Sequence, residues 1–309
     1  MVPPGGYAWW YVDALSDDGR HGLTLIGFIG SVFSPYYAWA RRRAPGGAAD
    51  AQQHCAMNVA LYGAAGKRWA MTERGGGRLA RDRASLQIGP SAMTWHDDTL
   101  TIRLDEVCAP FLSRIRGHVR VHPAALTDAV HTLDAAGRHR WGPIAPRARV
   151  EVALSHPALR WNGTGYLDHN AGERPLERDF ERWDWCRATL ADGRTAVLYD
   201  VLRSDGSPHA LALQFSPTGE ALPSFTLPPQ APLPATRLWR IARGTHSDAP
   251  AATRIVKTLE DTPFYARSLL DTRLLGEAAV AVHESLSLAR FRSGWVQAML
   301  PFRMPRTRR

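Results

Sequence analysis

Short β-like segments, spaced evenly between turn signals, constrain this 309-residue chain more than any other feature. Residues 9–15 are rich in aromatic and β-branched side chains and run into the turn signal Asp17-Asp18-Gly19-Arg20. Residues 23–33 return as a second strand. Residues 55–62 and 68–73 flank Gly63-Ala64-Ala65-Gly66, residues 93–96 and 99–104 flank Asp97-Asp98, and 116–122 form one more strand. A mixed polar stretch, 123–142, interrupts the pattern. Strands resume at 149–154, 163–168, 183–190, 196–202 and 210–215, with Asp192-Gly193 and Asp205-Gly206 as hairpin turns. Residues 223–234 hold five prolines and read as a loop. Residues 238–243, 252–259, 265–274 and 278–288 are further strands, although 280–285 also has a helical reading. The pattern predicts an all-β chain of two β-rich halves, 1–145 and 146–309, each a barrel or sandwich.

Composition removes several classes. With 45% hydrophobic and 22% charged residues the chain is not disordered. Three cysteines, Cys55, Cys108 and Cys186, without a CxxC pair argue against a disulfide scaffold or a thiolate zinc site. No apolar run reaches the roughly 18–20 residues of a spanning helix, and the N-terminus lacks the charged and apolar regions of a signal peptide. A reducing, cytoplasmic compartment is the expectation. The net charge is +9, but 36 of the 38 basic residues are arginine. That bias reads as genomic composition rather than a nucleic-acid surface. The one local concentration is C-terminal: Arg290, Arg292, Arg303, Arg306, Arg308 and Arg309, interleaved with Trp295, Met299, Leu300, Phe302 and Met304. It suits a membrane interface, or equally a last strand followed by a solvated tail.

The chain has no phosphate loop, no GxGxxG after a strand, no HExxH, no GxSxG and no histidines at metal-ligand spacing. Neither a nucleotide nor a metal cofactor is expected. Eleven tryptophans stand out, as does the segment Trp161-Asn162-Gly163-Thr164-Gly165-Tyr166-Leu167-Asp168-His169-Asn170-Ala171-Gly172. On a strand, Tyr166, Asp168 and Asn170 share one face, and Leu167 and His169 the other. Gly163 and Gly165 make room for a ligand or another backbone. Upstream, His139 and Trp141 also share a face. A carboxylic acid, a phenol, an indole and an imidazole together suit protonation of an unactivated alkene, with aromatic faces stabilising the cation. From spacing alone the blander assignments stand beside this one. Asp168 caps a turn, His139 is a solvated loop residue and Trp141 packs at a domain junction. Trp9, Trp10, Trp69, Trp95, Trp183 and Trp185 fill a barrel core, and Asp13, Asp17 and Asp18 are turn residues.

Residues 6–19 (Gly-Tyr-Ala-Trp-Trp-Tyr-Val-Asp-Ala-Leu-Ser-Asp-Asp-Gly), Gly30-Ser31-Val32-Phe33-Ser34-Pro35-Tyr36-Tyr37 and residues 54–62 (His-Cys-Ala-Met-Asn-Val-Ala-Leu-Tyr) carry a more specific signal. They resemble the acyclic carotenoid 1,2-hydratases of phototrophic bacteria, also called hydroxyneurosporene synthases. The resemblance implies two tandem lipocalin-like barrels and addition of water to the terminal C1–C2 double bond of an acyclic carotenoid such as neurosporene or lycopene. It assigns the activity to Tyr166, Asp168, His139 and Trp141, with Asp168 as proton donor. Such a carotenoid is a long polyene dissolved in the bilayer, so a cytoplasmic enzyme held peripherally on the inner or intracytoplasmic membrane is expected, with a long apolar groove between or through the barrels and an interfacial surface near the Arg-rich C-terminus. An Asp is almost wholly ionised at neutral pH unless its surroundings raise its pKa, so the site is expected to bury Asp168. A lipocalin-like carrier and an acid-catalysed isoprenoid cyclase or isomerase are the alternatives.

Overall fold

The computed structural model describes all residues except Ala64, Ala65, Arg308 and Arg309, so the turn centre expected at Ala64-Ala65 lies outside the described residues. The chain is all-β, with two lipocalin-like units in tandem. In order, the strands are β1 Tyr7–Ser16, β2 His21–Ile29, β3 Cys55–Gly63, β4 Arg68–Arg74, β5 Leu79–Arg81, β6 Ser85–Ile88, β7 Ser91–His96, β8 Thr99–Val107, β9 Arg114–Pro123, β10 His131–Thr132, β11 His139–His156 and β12 Ala158–Gly172. Then come β13 Phe180–Thr189, β14 Thr195–Arg203, β15 Pro208–Phe215, β16 Gln230–Leu233, β17 Arg243–His246, β18 Arg254–Asp261, β19 Tyr265–Leu274 and β20 Glu277–Ser287. One unit comprises Met1–Thr132, Gly137–Pro175 and Gln297–Arg309, the other Leu133–Ala136 and Leu176–Val296. The expected division at 145/146 falls inside β11, which ladders with β12 from His139 to Ser155. Cutting there would orphan a run of backbone hydrogen bonds, so the break comes after Pro175 instead.

In the first unit the sheet order is β4-β3-β2-β1-β12-β11-β9-β8-β7-β6-β5, with β10 beside β11, and the sheet curls into a nearly closed barrel. Alternation decides what fills it. Val12 and Ala14 of β1 point inward with Leu23, Leu25, Val59, Ile102, Val119, Val150 and Leu167, all buried in one aliphatic core. Each large side chain there contributes about 1.5–3 kcal/mol of burial. A groove running through this barrel would have to displace that core. Helix α1 (Pro35–Arg43) is started by Ser34, whose hydroxyl accepts from the Tyr36 and Tyr37 amides, and Tyr37 Oη then donates to Gly6 O at 2.7 Å, pinning the chain where β1 begins.

The polar stretch before 149 is shorter than expected, because the strand resumes at His139. Arg308 and Arg309 lie outside the described residues, and up to Thr307 the basic tail is not a solvated extension of a last strand. Short helices follow β20, and Arg306 then pairs with the buried Glu73, which also bonds His54 Nδ1 at 2.9 Å. Backbone bonds from Glu73 N–H to Pro305 O and from Thr307 N–H to Glu73 O hold the segment in place.

The second unit is a six-stranded antiparallel sheet, β15-β14-β13-β20-β19-β18, with the β16–β17 pair. Residues 280–285 are strand within β20, and the strand expected at 238–243 instead begins at Arg243. Sequence reasoning passed over Asp184 between its two tryptophans. It is buried, accepts from Ser285 Oγ, and lies 3.0 Å from Arg182 Nε and 3.9 Å from His283 Nε2. Burial pushes its carboxyl up from 3.8 to about 7, and burial pushes His283 down from 6.5 to about 4. The folded chain keeps a proton on Asp184 that the unfolded chain has lost, so this group costs stability as pH rises between 4 and 7. His283 acts with the opposite sign, because the folded chain releases its proton first. In Asp184→Asn the first effect is gone. Its melting temperature is therefore expected to climb more steeply between pH 4.5 and 6.5 than that of wild type, as read by circular dichroism.

Candidate active site

The odd-numbered residues of β1 face away from the aliphatic core, and the ladders build a second buried surface from them. On β12, between β1 and β11, four rungs succeed one another. Tyr166 lies opposite Asp13, Asp168 between Tyr11 and Pro143, Asn170 between Trp9 and Trp141, and Gly172 between Tyr7 and His139. Directly paired residues project to the same side. Strand β2 extends the rungs with Thr24 opposite Asp13, Ile26 opposite Tyr11 and Phe28 opposite Trp9. Asp13, Asp168, Asn170, His139, Trp141, Tyr166, Tyr7, Trp9 and Tyr11 are all buried.

Two donors converge on one oxygen. Trp141 Nε1–H donates to Asp168 Oδ2 at 2.8 Å, and Tyr166 Oη–H donates to the same oxygen at 3.0 Å. Each such bond is worth roughly 0.5–1.5 kcal/mol to a neutral carboxyl and roughly 1.5–3 kcal/mol to a carboxylate, and together they fix the carboxyl plane. Because Oδ2 is taken by donors, a proton on Asp168 resides on Oδ1. Strand β11 shifts register on either side of Ala145, just where it passes Asp168. Pro143 and Pro146 explain this, since neither can donate to the ladder.

His139 belongs to the same face but not to the same contact. Its Nδ1 meets Tyr7 Oη at 2.9 Å and the two rings stack at 5.8 Å. Gly172 permits this: a Cβ there would sit 2.3 Å from Tyr7 Cε1, so only glycine lets that ring cross β12. Aromatic contacts continue through Tyr7–Trp9 at 4.9 Å, Trp9–Phe28 at 5.9 Å and Tyr11–Tyr166 edge-on at 6.4 Å.

The structure thus brings Tyr166, Asp168 and Trp141 into one hydrogen-bonded cluster, with Asn170 beside it and His139 two rungs away. His139 is a buried strand residue, not a solvated loop one. Trp9 lines this face instead of the barrel core, and Asp13 sits mid-strand instead of in a turn. Tyr7, Trp9, Tyr11 and Asp13 were missed as site residues. The alternation Tyr-x-Trp-x-Tyr-x-Asp across 7–13 was the signal that a second, polar-aromatic face existed. Gly163 makes room for backbone and Gly165 mainly for a packed side chain: a Cβ on Gly163 would lie 2.0 Å from Leu15 O, and one on Gly165 2.3 Å from Val150 Cγ2, with Asp13 O next at 3.0 Å.

Residues 25–309 match the family described as carotenoid hydratase CrtC. The chain is 59% identical over 305 residues to the acyclic carotenoid 1,2-hydratase of Thiocapsa roseopersicina, covering 99% of this chain and 74% of that protein. The chain belongs to the carotenoid hydratase family. These are enzymes that add water to a carotenoid double bond. The hydratase of Cereibacter sphaeroides is 41% identical over 283 residues, covering 91% of this chain and 98% of that protein. Among solved structures, an AttH protein from Nitrosomonas europaea is similar across 91% of this chain and 92% of its own, with a TM-score of 0.60 at 15% identity. That last likeness speaks for the fold alone.

Proposed function

We propose that this hydratase adds water across the terminal C1–C2 double bond of an acyclic carotenoid such as neurosporene or lycopene, with Asp168 as proton donor. The observation that carries the reading is the buried Asp168 carboxyl, its Oδ2 held by Trp141 and Tyr166 on an aromatic face. Asp168, neutral, gives its Oδ1 proton to C2. The cation forms at C1, which is tertiary and therefore the more stable site. The rings of Tyr166 and Trp141 face it and stabilise it through their quadrupoles. As the proton leaves, the two donors on Oδ2 become charge-assisted bonds to the new carboxylate. Water adds at C1 and a base takes its second proton, giving a tertiary alcohol. Burial keeps bulk water from the cation. Hydration changes no net oxidation state, so the reaction requires no redox cofactor. His139, tied to Tyr7, positions the far end of the aromatic wall.

The test is incubation of the purified protein with lycopene or neurosporene in liposomes, followed by mass analysis. A product heavier by one water is expected. Bound carotenoid of unchanged mass and spectrum would favour a carrier, and unchanged mass with a new spectrum an isomerase or cyclase. Trp141→Phe and Tyr166→Phe each remove one donor from Oδ2 while keeping a ring, and each is expected to lower kcat by about 10–100-fold.

A bilayer-dissolved substrate also calls for peripheral membrane contact. None of the described helices is long and apolar enough to cross a membrane. The basic tail is a poorer candidate for that contact than its composition implied, since Arg306 is paired with Glu73 and Arg303 lies over the Trp69 ring at 5.0 Å. The β8–β9 hairpin offers another. Phe111 and Leu112 at its tip are more than 80% exposed, and β9 follows with Arg114 and Arg116, whose guanidinium groups lie 3.6 and 3.9 Å from Asp105. A Phe111→Ser/Leu112→Ser double variant is expected to bind anionic liposomes about tenfold more weakly in a sedimentation assay. Unchanged binding would rule the hairpin out.

A further inference from the structure

We propose that Asp13 is the general base of the hydration, taking the proton from the water that Thr24 helps to hold. The inference rests on the reading of Asp168 as the acid and supplies the partner that reading lacks.

Distance along the strands selects it. A water attacking C1 lies one bond beyond the carbon that Asp168 protonates, so its base must stand within one rung of Asp168. His139 pairs with Gly172, four residues along β12 from Asp168. At about 3.3 Å per residue that is roughly 13 Å of strand. Asp13 pairs with Tyr166, two residues from Asp168, which makes it a diagonal neighbour at about 7–8 Å between Cα atoms.

Direction selects it too. The rungs beyond Asp168 toward Gly172 are mainly aromatic: Trp9, Phe28 and Trp141 flank Asn170, and Tyr7 then faces His139 across Gly172. The rung on the other side is polar: Tyr166, Asp13 and Thr24. In a carotenoid the chain continues from C2, and C1 is the terminus. A polyene lying along the aromatic rungs with C2 at Asp168 therefore directs C1 to the polar rung. Asp13 there is fully buried, and Thr24 is 3% exposed with its Oγ1 bonded to no protein group among the described residues. A buried hydroxyl in that position is suited to holding water.

The balance closes. The Asp168 Oδ1–H bond breaks and a C2–H bond forms. The water oxygen bonds to C1, and one of its O–H bonds passes its proton to the Asp13 carboxylate. The cycle resets when Asp13 returns a proton to Asp168. Tyr166, which stands opposite Asp13 and donates to Asp168, lies between them.

Deuterium separates the two carboxylates. In D2O, wild type is expected to yield alcohol with one non-exchangeable deuterium at C2. In Asp13→Asn, Asp168 still delivers deuterium to C2, but the cation is not captured and collapses to alkene. Hydration is expected to fall about 100-fold or more while recovered carotenoid gains deuterium. Asp168→Asn is expected to lose both. Asp13→Glu keeps a carboxylate and is expected to recover part of the hydration. Thr24→Val, nearly isosteric, is expected to slow hydration about tenfold with exchange intact, and it serves where Asp13→Asn does not fold. The proposal is overturned if Asp13→Asn hydrates within threefold of wild type. Equal loss of exchange and hydration in Asp13→Asn, or in Thr24→Val, overturns it as well. A wild type that neither hydrates nor exchanges would instead sink the reading of Asp168 on which it rests.

Discussion

Asp168→Asn is expected to abolish hydration, with a rate at least 10³-fold below wild type, while the protein folds normally and still binds carotenoid. The substitution is nearly isosteric. The amide oxygen takes the place of Oδ2 and still accepts from Trp141 Nε1 and Tyr166 Oη, so the two bonds that position the group survive. What is lost is the transferable proton, since an amide N–H is far too weak an acid to protonate an alkene. General acid catalysis contributes about 10²–10⁴-fold, and an unactivated alkene places this step near the upper end. Asp168→Glu makes the complementary point. It keeps the acid but lengthens the side chain by one methylene, so the carboxyl no longer meets both donors. A loss of about 100-fold is expected from misplacement alone. Product quantified by mass after matched incubations decides both cases, with melting temperature and carotenoid binding as controls. An Asn variant retaining a tenth of wild-type activity would place the acid elsewhere. A carrier would be indifferent to either substitution.

Much of this site was legible in the sequence, and the limits have physical causes. Period-two alternation put Tyr166, Asp168 and Asn170 together, and the ladder confirms that face. The same rule placed His139 and Trp141 side by side. It was silent on which face of β11 meets which face of β12, because register is a long-range property that prolines and bulges adjust. Spacing of two also treats His139 and Trp141 alike, whereas only Trp141 reaches Asp168. The β1 residues were lost for another reason. A strand buried on both faces shows no clean apolar–polar contrast, and Tyr7 to Asp13 alternates between an aliphatic core and a polar-aromatic surface, both buried. Asp13 was assigned to the turn that follows because an acidic residue close to Asp-Asp-Gly ordinarily belongs to it. The division near 145 failed because the polar stretch before it suggested a linker, and strand β11 starts inside that stretch.

Gly163→Ala is expected to be strongly destabilising, although it touches no catalytic group. The added methyl would lie 2.0 Å from Leu15 O, 2.7 Å from Leu15 C and 2.9 Å from Ser16 Cα. All three are backbone atoms, so no side chain can rotate away and the strands themselves must part. Gly165→Ala is different in kind. Its nearest clash is Val150 Cγ2 at 2.3 Å, the end of a side chain, with Asp13 O next at 3.0 Å. Prying β1 from β12 breaks ladder bonds and opens the aliphatic core on one side while displacing Asp13 from Tyr166 on the other. A destabilisation of about 4 kcal/mol is expected for Gly163→Ala, a fall in melting temperature of roughly 10 °C for a unit of this size, against about half that for Gly165→Ala. The ordering is the test. It follows only if the two glycines exist to let β1 and β12 approach, with Gly163 meeting backbone and Gly165 meeting mainly a side chain. Two mild variants of equal stability would mean that the glycines instead leave space for substrate. The face that carries Asp168 would then have to be rebuilt around a wider strand pair.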